Sequence, residues 1–296
     1  MGNRISNQRH FFTVDLEEYF QVLAFAGIVD VADWGTYTLR AEPATDRLLA
    51  LLDEYGARAT FFTVGWLAER APELIGRIVS AGHEVASHSM LHRSLRVLSP
   101  DQFREDVRRS RHLLEDLTGR AVLGFRAPSF SIVPGREWAF DILLEEGYRY
   151  DSSIFPIRRP DYGYPGAPRR PYLIDRPAGR LLELPLATTS LAGISLPAAG
   201  GGYLRHFPLA LIQRAFREHS RAGLPAMFYI HPWELDPDQP RMPVSWLTRR
   251  RHYAGLARTA SRVEKLLREF RFTSVAEFYG IGERWEEGAW HSALSA

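Results

Sequence analysis

Residues 59–92, ATFFTVGWLAERAPELIGRIVSAGHEVASHSMLH, contain two short apolar runs with a longer mixed segment between them. The β-branched and aromatic residues of 59–64 predict a strand. Residues 72–81 predict a helix, because a proline opens this segment and a glycine follows it. Residues 83–86 then predict a brief strand that leads directly into His88. A strand, a helix and a second strand in this order indicate a βα repeat.

The same alternation continues on both sides of this stretch. Further strands are predicted at residues 10–14, 121–125, 181–185 and 226–230, and further helices at 44–54, 99–118, 208–222 and 253–270. Asp15, His88, Arg126 and His231 each follow one of the strand-like runs. In barrels built from βα repeats, the carboxyl ends of several strands form the active site. The sequence therefore predicts an α/β barrel in which these four side chains share one site.

The overall composition is that of a soluble globular protein. Of the 296 residues, 45% are hydrophobic and 24% are charged. The 37 basic and 35 acidic residues leave a formal net charge of only +2, which gives no sign of polyanion binding. The run Arg249-Arg-Arg251 is short and is typical of a solvated face. We therefore expect no nucleic-acid partner.

The residue types that are absent also restrict the interpretation. The chain contains no cysteine, which excludes disulfides, thiolate metal sites and cysteine nucleophiles. No run approaches the ~20 consecutive apolar residues that are needed to span a bilayer. Residues 1–10 contain no apolar signal-peptide core. We expect no transmembrane segment and a cytoplasmic location, while the oligomeric state stays open.

The region around residues 156–207 differs from the rest, because it is rich in proline and glycine and follows no clear repeat. Within it, Gly200-Gly-Gly202 predicts a flexible or tight turn. We find no internal repeat and no linker. The sequence predicts a single domain over residues 1–296, with a loop-rich insertion around 156–207 and a helical extension around 236–296.

The two histidines His88 and His92 have the spacing of a metal-ligand pair. Residues four apart share one face of a helix, so both imidazoles can point at the same ion. A carboxylate can supply the third ligand and leave a coordination position open for water, as in catalytic sites. The alternative is a pair of polar surface residues or a histidine buried in the core. The position after a strand, together with the acidic cluster upstream, favours the metal.

The acidic cluster Asp15-Leu-Glu17-Glu18 lies between two apolar runs, Phe11–Val14 and Tyr19-Phe20. A solvated turn is the alternative interpretation, but exposed turns seldom have such apolar surroundings. Two carboxylates near a metal can divide the work, one as a ligand and one as a proton acceptor.

Arg126 and His231 are weaker signals on their own. Arg126 precedes Ala-Pro128 and could be structural, but near Asp15 its guanidinium would orient that carboxylate and keep it ionised. His231 precedes Pro232 and could be a buried histidine bonded to the backbone. At a strand-end site it would instead be a general acid.

Five segments in this order closely resemble the motifs of the NodB-homology polysaccharide deacetylases, carbohydrate esterase family four. They are Thr13-Val-Asp15, Ala59-Thr-Phe-Phe-Thr-Val-Gly65, Gly82-His-Glu-Val-Ala-Ser-His-Ser-Met-Leu-His92, Gly124-Phe-Arg-Ala-Pro128 and Tyr229-Ile-His231. The resemblance implies a distorted (β/α) barrel with about seven parallel strands. The segments 151–156, 200–205 and 252–272 resemble the bacterial subgroup associated with exopolysaccharide and exosortase gene clusters.

The resemblance also implies roles for individual residues. Asp15 is expected to be the general base, Arg126 to position it, and His231 to be the general acid. His88 and His92 are expected to be metal ligands. The family usually has a second aspartate directly after the first, where this chain has Leu16.

The role of that second aspartate must therefore move to Glu17 or Glu18. We favour Glu17, with Glu18 as the alternative, because Asp15 and Glu17 can point to the same side after a strand. The family often has tyrosine after its Arg-x-Pro, where this chain has Ser129. A serine at this position keeps the backbone N–H, which could help to bind an oxyanion, but it lacks the aromatic side chain.

The activity that the resemblance implies is hydrolysis of N-acetyl groups on an oligo- or polysaccharide, which releases acetate. One divalent ion is expected, Zn²⁺ first and Co²⁺ or Ni²⁺ as alternatives. Phe130, Tyr203 and Trp233 are predicted to contact the sugar. The alternatives are a deacylase of another amide or of an O-acetyl ester on the same fold, and a degenerate carbohydrate-binding protein.

Overall fold

The computed structural model describes residues 8–159, 162–191 and 193–281. Its main feature is one large, mostly parallel sheet. The strands are β1 (Arg9–Leu16), β2 (Thr60–Thr63), β3 (Glu84–Ser87), β4 (Gly124–Phe125), β5 (Tyr150–Asp151), β6 (Tyr172–Arg176), β7 (Gly179–Glu183), β8 (Thr188–Leu191), β9 (Ile194–Pro197), β10 (Met227–Ile230) and β11 (Arg271–Thr273). The strands β8 and β9 form a separate antiparallel hairpin.

The large sheet curves into a nearly closed barrel. Its strand order is β10-β1-β2-β3-β4-β5-β7-β6, with β11 also paired to β1. All of these pairs are parallel except β6 with β7. Leu186, which follows β7, forms a parallel bridge with Met227 of β10, so the two ends of the barrel meet. The predicted α/β fold with a distorted barrel is confirmed.

Strand β1 lies at the centre of this arrangement and is longer than predicted. Seven of its eight residues are buried, because β10 covers one edge while β2 and β11 share the other. The predicted end at Val14 was wrong, since Asp15 still pairs with Phe62 and Leu16 with Thr63. Strand β1 therefore carries Asp15 into the barrel while it is still held by its neighbours.

Helices cover the outside of the barrel. They are α1 (Ala41–Glu54), α2 (Gly65–Arg70), α3 (Pro72–Ser80), α4 (Pro100–Thr118), α5 (Trp138–Glu145), α6 (Gly201–His206), α7 (Leu209–Arg221), α8 (Trp246–Tyr253), α9 (Thr259–Glu269) and α10 (Val275–Tyr279). The predicted start of α4 is confirmed: the Ser99 hydroxyl accepts from the Gln102 N–H, and Pro100 opens the helix. No helix in the described ranges is long and apolar enough to cross a bilayer.

Two predictions in the second half of the chain were wrong. The helix predicted over 253–270 begins later than expected, as α9 at Thr259, because α8 ends at Tyr253 and Gly255, with φ of 82°, lies between the two helices. The glycines of 200–202 open α6 instead of forming a turn. A Cβ on Gly201 would lie 1.8 Å from a carboxylate oxygen of Glu234, so the glycine permits a close approach of this helix.

The predicted single-domain organisation stays a prediction. The sheet does run through both halves of the chain, because β10 and β11 both pair with β1. Part of the predicted insertion and the last residues of the predicted extension lie outside the described residues.

Substitution of Gly124 tests the packing beside the site. A Cβ at this position would lie 2.0 Å from the ring of Tyr150, whose hydroxyl is tied to Glu84 by a 2.7 Å hydrogen bond. We expect Gly124→Ala to lower the free energy of unfolding by about 1–3 kcal/mol in urea titrations, because the ring has to move.

The matched control is Gly76→Ala on the exposed face of α3, where no atom lies within 4 Å of the new Cβ. This change should be neutral or stabilising by up to about 1 kcal/mol, because alanine has the higher helix propensity. Equal effects of the two substitutions would contradict the packing described here.

Candidate active site

Three potential metal ligands converge at the carboxyl end of the strands. Glu17 follows β1, and His88 and His92 follow β3. One ligand atom from each lies within 4.8 Å of the other two. Their side chains are buried, with 2% exposure for Glu17 and 5% for His92. A carboxylate and two imidazoles at this separation can hold one divalent ion.

The histidine pair does not lie on a helix, and that expectation was wrong. Residues 88–92 form a loop in which Ser89 and His92 have φ of 67° and 48°. The buried carboxylate of Asp106, on α4, accepts the N–H groups of Met90 and Leu91 at 2.7 and 3.2 Å. These bonds hold the loop in its left-handed turns, which costs energy for residues other than glycine.

The donor groups fit a metal with nitrogen and oxygen ligands. The Nδ1 of His88 lies 2.7 Å from the backbone oxygen of Arg126, so Nδ1–H donates and Nε2 keeps its lone pair. The buried Oε2 of Glu17 has no hydrogen bond of regular geometry within the described part of the chain, although Nε2 of His92 is 2.7 Å away. The carboxylate oxygen of Glu17 and the ring nitrogen of His92 thus lie close together without a hydrogen bond between them. A cation bound to both atoms would account for this arrangement.

The ionisation of these groups also suits a cation. Burial alone would raise the pKa of Glu17, but the neighbouring His92 and His231 outweigh it and lower the pKa to about 2. Burial, together with His92, lowers the pKa of His88 well below its ordinary value. Glu17 is thus an anion and His88 a neutral imidazole, the forms that bind metals.

Of the two alternatives for the carboxylate ligand, Glu17 reaches the histidines and Glu18 points elsewhere. The Glu18 carboxylate accepts the backbone N–H groups of Arg40 and Ala41 at 2.8–3.0 Å, at the start of α1. Its burial raises its pKa to about 7. Glu18 therefore caps a helix and is not directed at His88 or His92.

Asp15 and Arg126 form a buried ion pair beside the three ligands. The distance from Nη1 of Arg126 to Oδ1 of Asp15 is 2.5 Å, and the same nitrogen donates to the hydroxyl of Thr13. The other guanidinium nitrogens donate to the backbone oxygen and the hydroxyl of Ser152. The guanidinium thereby fixes one oxygen of Asp15, and the other oxygen, Oδ2, is directed toward His231 at 4.0 Å.

His231 lies beside Glu17 and Asp15, and Glu234 holds it. Its Nδ1 and its backbone N–H both lie 3.1 Å from Oε2 of Glu234. Its Nε2 lies 3.5 Å from Oε1 of Glu17. Burial would lower the pKa of His231, but Glu17, Glu234 and Asp15 raise it to about 9. The ring is therefore held as a potential proton donor with Nε2 toward the cavity.

Glu234 is in turn held by Arg205 of α6. The Nε of Arg205 lies 2.9 Å from Oε1 of Glu234, and both side chains are almost fully buried. Burial opposes ionisation, but Arg205 and His231 lower the pKa of Glu234 to about 2. The Nη1 of Arg205 also donates to the backbone oxygens of His252 and Ala254. This buried chain of charges connects His231 to α6 and to the end of α8.

The site opens into a cavity of about 710 Å³ that Asp15, Glu17, His88, His92 and His231 all line. Of the predicted sugar-contacting residues, Phe130 and Trp233 line the cavity. Tyr203 lies behind it, with its hydroxyl 2.5 Å from that of Tyr162, which does line it.

The surroundings of Trp233 limit its use as a sugar platform. Its ring stacks on those of His231 and His252, at centroid distances of 4.8 and 4.3 Å, and only 5% of the residue is exposed. Its indole N–H donates to Oε1 of Glu17. Trp233 thus supports the site from behind. Of the three predicted sugar contacts, Phe130 is left on the cavity wall, which it shares with Tyr162 and Tyr229.

Sequence reasoning missed four contributors, namely Asp106, Ser152, Arg205 and Glu234. For Glu234 a signal was present, because an acidic residue three positions after a strand-end histidine has the spacing of a reciprocal cap. Arg205 is the last residue of the segment 200–205, which resembles the exopolysaccharide-associated subgroup. Ser152 likewise lies in the segment 151–156 that was singled out, although its bond to Arg126 was not predicted. Asp106 had no local signal, since its partners are distant in the sequence.

Metal binding by purified protein tests the ligand set. We expect one Zn²⁺ per chain, and His88→Ala, His92→Ala or Glu17→Ala should each weaken binding by about 100-fold or more, because two ligands remain. The measurement is competition with a chromophoric chelator. His112→Ala, an exposed histidine on α4, is the matched control and should bind like the parent. Stoichiometric metal on the His88→Ala/His92→Ala variant would contradict the assignment.

Comparison with known proteins identifies two regions of the chain. Residues 33–134 match a family model described as polysaccharide deacetylase. Residues 152–280 match a domain of unknown function, DUF3473. The first match includes both histidine ligands and Arg126, and the second includes His231, Glu234 and Arg205. The site geometry thus joins residues from both regions.

Relatives match over limited stretches. A peptidoglycan deacetylase of Helicobacter pylori is 35% identical over 115 residues, which are 38% of this chain and 38% of that protein. A peptidoglycan-N-acetylglucosamine deacetylase of Bacillus cereus is 30% identical over 96 residues, 32% of this chain and 35% of that protein. The chain spans somewhat more than a third of the length of these relatives.

Solved structures resemble the whole fold. A Mycobacterium smegmatis protein described as a polysaccharide deacetylase superposes with a TM-score of 0.65 at 21% identity, covering 100% of this chain and 93% of its own. Puue allantoinase superposes with a TM-score of 0.60 at 18% identity, covering 98% and 92%. At these identities the likeness shows the fold. The matches along the sequence show that residues 33–134 are similar to polysaccharide deacetylases and that residues 152–280 are similar to DUF3473.

Proposed function

We propose that the protein is a metal-dependent hydrolase that removes N-acetyl groups from a saccharide and releases acetate. The observation that carries the proposal is the convergence of Glu17, His88 and His92 with Asp15 and His231 on one cavity. A metal-ligand set, a carboxylate and a protonated imidazole are the groups that amide hydrolysis needs.

A divalent ion held by Glu17, His88 and His92 would polarise the acetyl carbonyl and lower the pKa of a bound water toward neutrality. Asp15 is the base for the attacking water. Its Oδ1 is bonded to Arg126, which orients the carboxylate, and its Oδ2 is left to accept the proton.

His231 is the acid for the leaving group. Its Nε2–H faces the cavity beside Glu17, so it can protonate the sugar nitrogen as the carbon–nitrogen bond breaks. Glu234 accepts from Nδ1 and fixes the ring orientation. The water supplies the hydroxyl group of the acetic acid, and the nitrogen departs as the free amine.

The backbone N–H of Ser129 is proposed to stabilise the oxyanion that forms on the acetyl group. Ser129 lines the cavity and has φ of 54°, in the left-handed region, directly after Pro128. Strained backbone of this kind is common where an N–H is presented to a substrate. A serine here leaves more room above the site than a tyrosine would.

The finer assignment of the substrate is a proposal as well. We propose an exopolysaccharide or its oligosaccharide precursor as the natural substrate. It is supported by the resemblance of segments 151–156 and 200–205 to the exopolysaccharide-associated subgroup, because these segments contribute Ser152 and Arg205 to the site. Relatives named as peptidoglycan-N-acetylglucosamine deacetylases favour an N-acetylated hexosamine unit. A cytoplasmic location stays a prediction.

Acetate release from N-acetylglucosamine oligomers tests the activity. We expect release by the metal-loaded protein, loss with a chelator and recovery when Zn²⁺ or Co²⁺ is added back. Asp15→Asn and His231→Ala should each reduce kcat by about 10²–10⁴-fold, because each removes one proton transfer. The His112→Ala variant is the control and should match the parent. Full activity of either catalytic variant, or activity that survives metal removal, would contradict the mechanism.

The pH profile tests the role of Glu234. The acid His231 must be protonated, so the rate falls as pH rises through its pKa. Glu234 is one of the groups that raise this pKa, so Glu234→Gln should lower it and shift the basic limb of kcat/KM to lower pH. Glu277→Gln, at an exposed ion pair with Arg9, is the matched control and should leave the limb in place. A basic limb unchanged in Glu234→Gln would contradict the role.

A further inference from the structure

Large exposed hydrophobic side chains are concentrated around the mouth of the cavity. Among the described residues, six such side chains are exposed. Five of them are Leu23, Ile28, Val97, Trp246 and Leu247, and the sixth, Ile194, lies on the β8–β9 hairpin. Scattered exposed hydrophobic residues are ordinary, but a concentration at one site marks an interaction surface.

Contacts place Leu23, Val97 and α8 around the cavity, and the N–H of Ile28 donates to the backbone oxygen of Phe25 at 2.9 Å, directly after the turn that carries Leu23. Leu23 and Val97 line the cavity, and 75% of Val97 is exposed. Phe25, two residues after Leu23, packs against His252 of α8 with a centroid distance of 4.6 Å. The short helical turn that carries Leu23 therefore lies against α8.

Helix α8 adds both apolar and basic groups to this rim. It begins with Trp246 and Leu247, which are 70% and 56% exposed, and its Thr248 and Arg251 line the cavity. We call the surface formed by Leu23, Ile28, Val97 and the residues 246–251 the mouth surface.

The charge on α8 is entirely positive. Its eight residues include the consecutive arginines 249–251 and no acidic residue. Within the described part of the chain, none of these three guanidinium groups forms an ion pair with a carboxylate. The guanidinium of Arg250 instead lies over the ring of Trp246, 5.6 Å from its centroid. The cation and the aromatic ring are thus presented to solvent together.

We propose that the mouth surface docks on an anionic lipid bilayer and that the cavity takes a saccharide linked to a lipid there. Tryptophan and arginine are the side chains that reside at a membrane interface, and leucine, isoleucine and valine beside them can enter the acyl boundary. Unpaired arginines attract anionic headgroups. A free polysaccharide would offer no partner for the exposed aliphatic side chains.

This inference rests on the proposed function for the saccharide, but the lipid contact stands on the surface alone. Arg251 lies both on the basic helix and on the cavity wall. It can therefore contact an anionic group at the junction between a lipid and its sugar. The consequence is that the acetylated sugar near the lipid end comes closest to Asp15 and His231.

Vesicle flotation with the full chain tests the docking. We expect binding to vesicles of phosphatidylcholine with phosphatidylglycerol, weak binding to phosphatidylcholine alone, and release by high salt. Trp246→Ser/Leu247→Ser and Arg249→Ala/Arg250→Ala should each reduce the partition coefficient on the order of tenfold or more.

Two matched controls distinguish binding by the mouth surface from non-specific binding to vesicles. Ile194→Ser removes the exposed hydrophobic side chain that lies elsewhere, and Arg217→Ala/Arg268→Ala removes the same amount of charge from two other exposed helices. Both controls should bind like the parent. Absence of vesicle binding by the parent protein, or equal losses in the controls, would overturn the proposal.

Vesicle flotation measures lipid binding and does not depend on catalysis. The protein can therefore fail to bind vesicles and still release acetate, or bind vesicles and release none. Acetate release from soluble oligomers by Trp246→Ser/Leu247→Ser should equal that of the parent, because neither side chain lines the cavity. Circular dichroism of each variant checks that it is folded.

Discussion

A single buried guanidinium organises the interior of this barrel. Arg126 is fully buried, and its nitrogens bond Thr13 and Asp15 on β1 and Ser152 just after β5, which lie on different sides of the barrel. Phe62 of β2 lies beneath it at 4.0 Å. Burying a charge is costly unless it is paired and fully hydrogen-bonded, so this arrangement must form as a unit. Its backbone oxygen also fixes the tautomer of His88. One residue therefore positions both Asp15, the proposed base, and His88, a proposed metal ligand.

Much of the site could be predicted because its main residues follow strands. The carboxyl ends of neighbouring parallel strands meet in space, so the order of motifs indicated that Asp15, His88, Arg126 and His231 would meet. The conformation of the histidine loop could not be predicted. Spacing alone favours a helix, whereas the left-handed turns depend on Asp106, sixteen residues after Met90. Long-range hydrogen bonds of this kind leave no trace in local periodicity.

The second half of the chain contributes residues to the candidate active site. The region that matches DUF3473 supplies His231 and the Glu234–Arg205 pair that holds it. The three glycines before Arg205 looked like a turn, but they bring α6 against Glu234, where a side chain on Gly201 would collide. A run of glycines predicts flexibility when only the sequence is considered. The position of Glu234 shows that glycine is needed here so that α6 can approach it closely. The acid side of the site therefore depends on this region, while the metal ligands come from the first half.

We expect Glu17, His88 and His92 to hold a divalent ion beside Asp15 and His231. Anomalous diffraction at the zinc absorption edge, from crystals of the protein grown with Zn²⁺, would show this ion. We expect one strong peak among the Glu17 carboxylate and the two imidazole nitrogens, with Asp15 still bonded to Arg126. A peak at other residues, or none while His92 and Glu17 form an ordinary hydrogen bond, would contradict it.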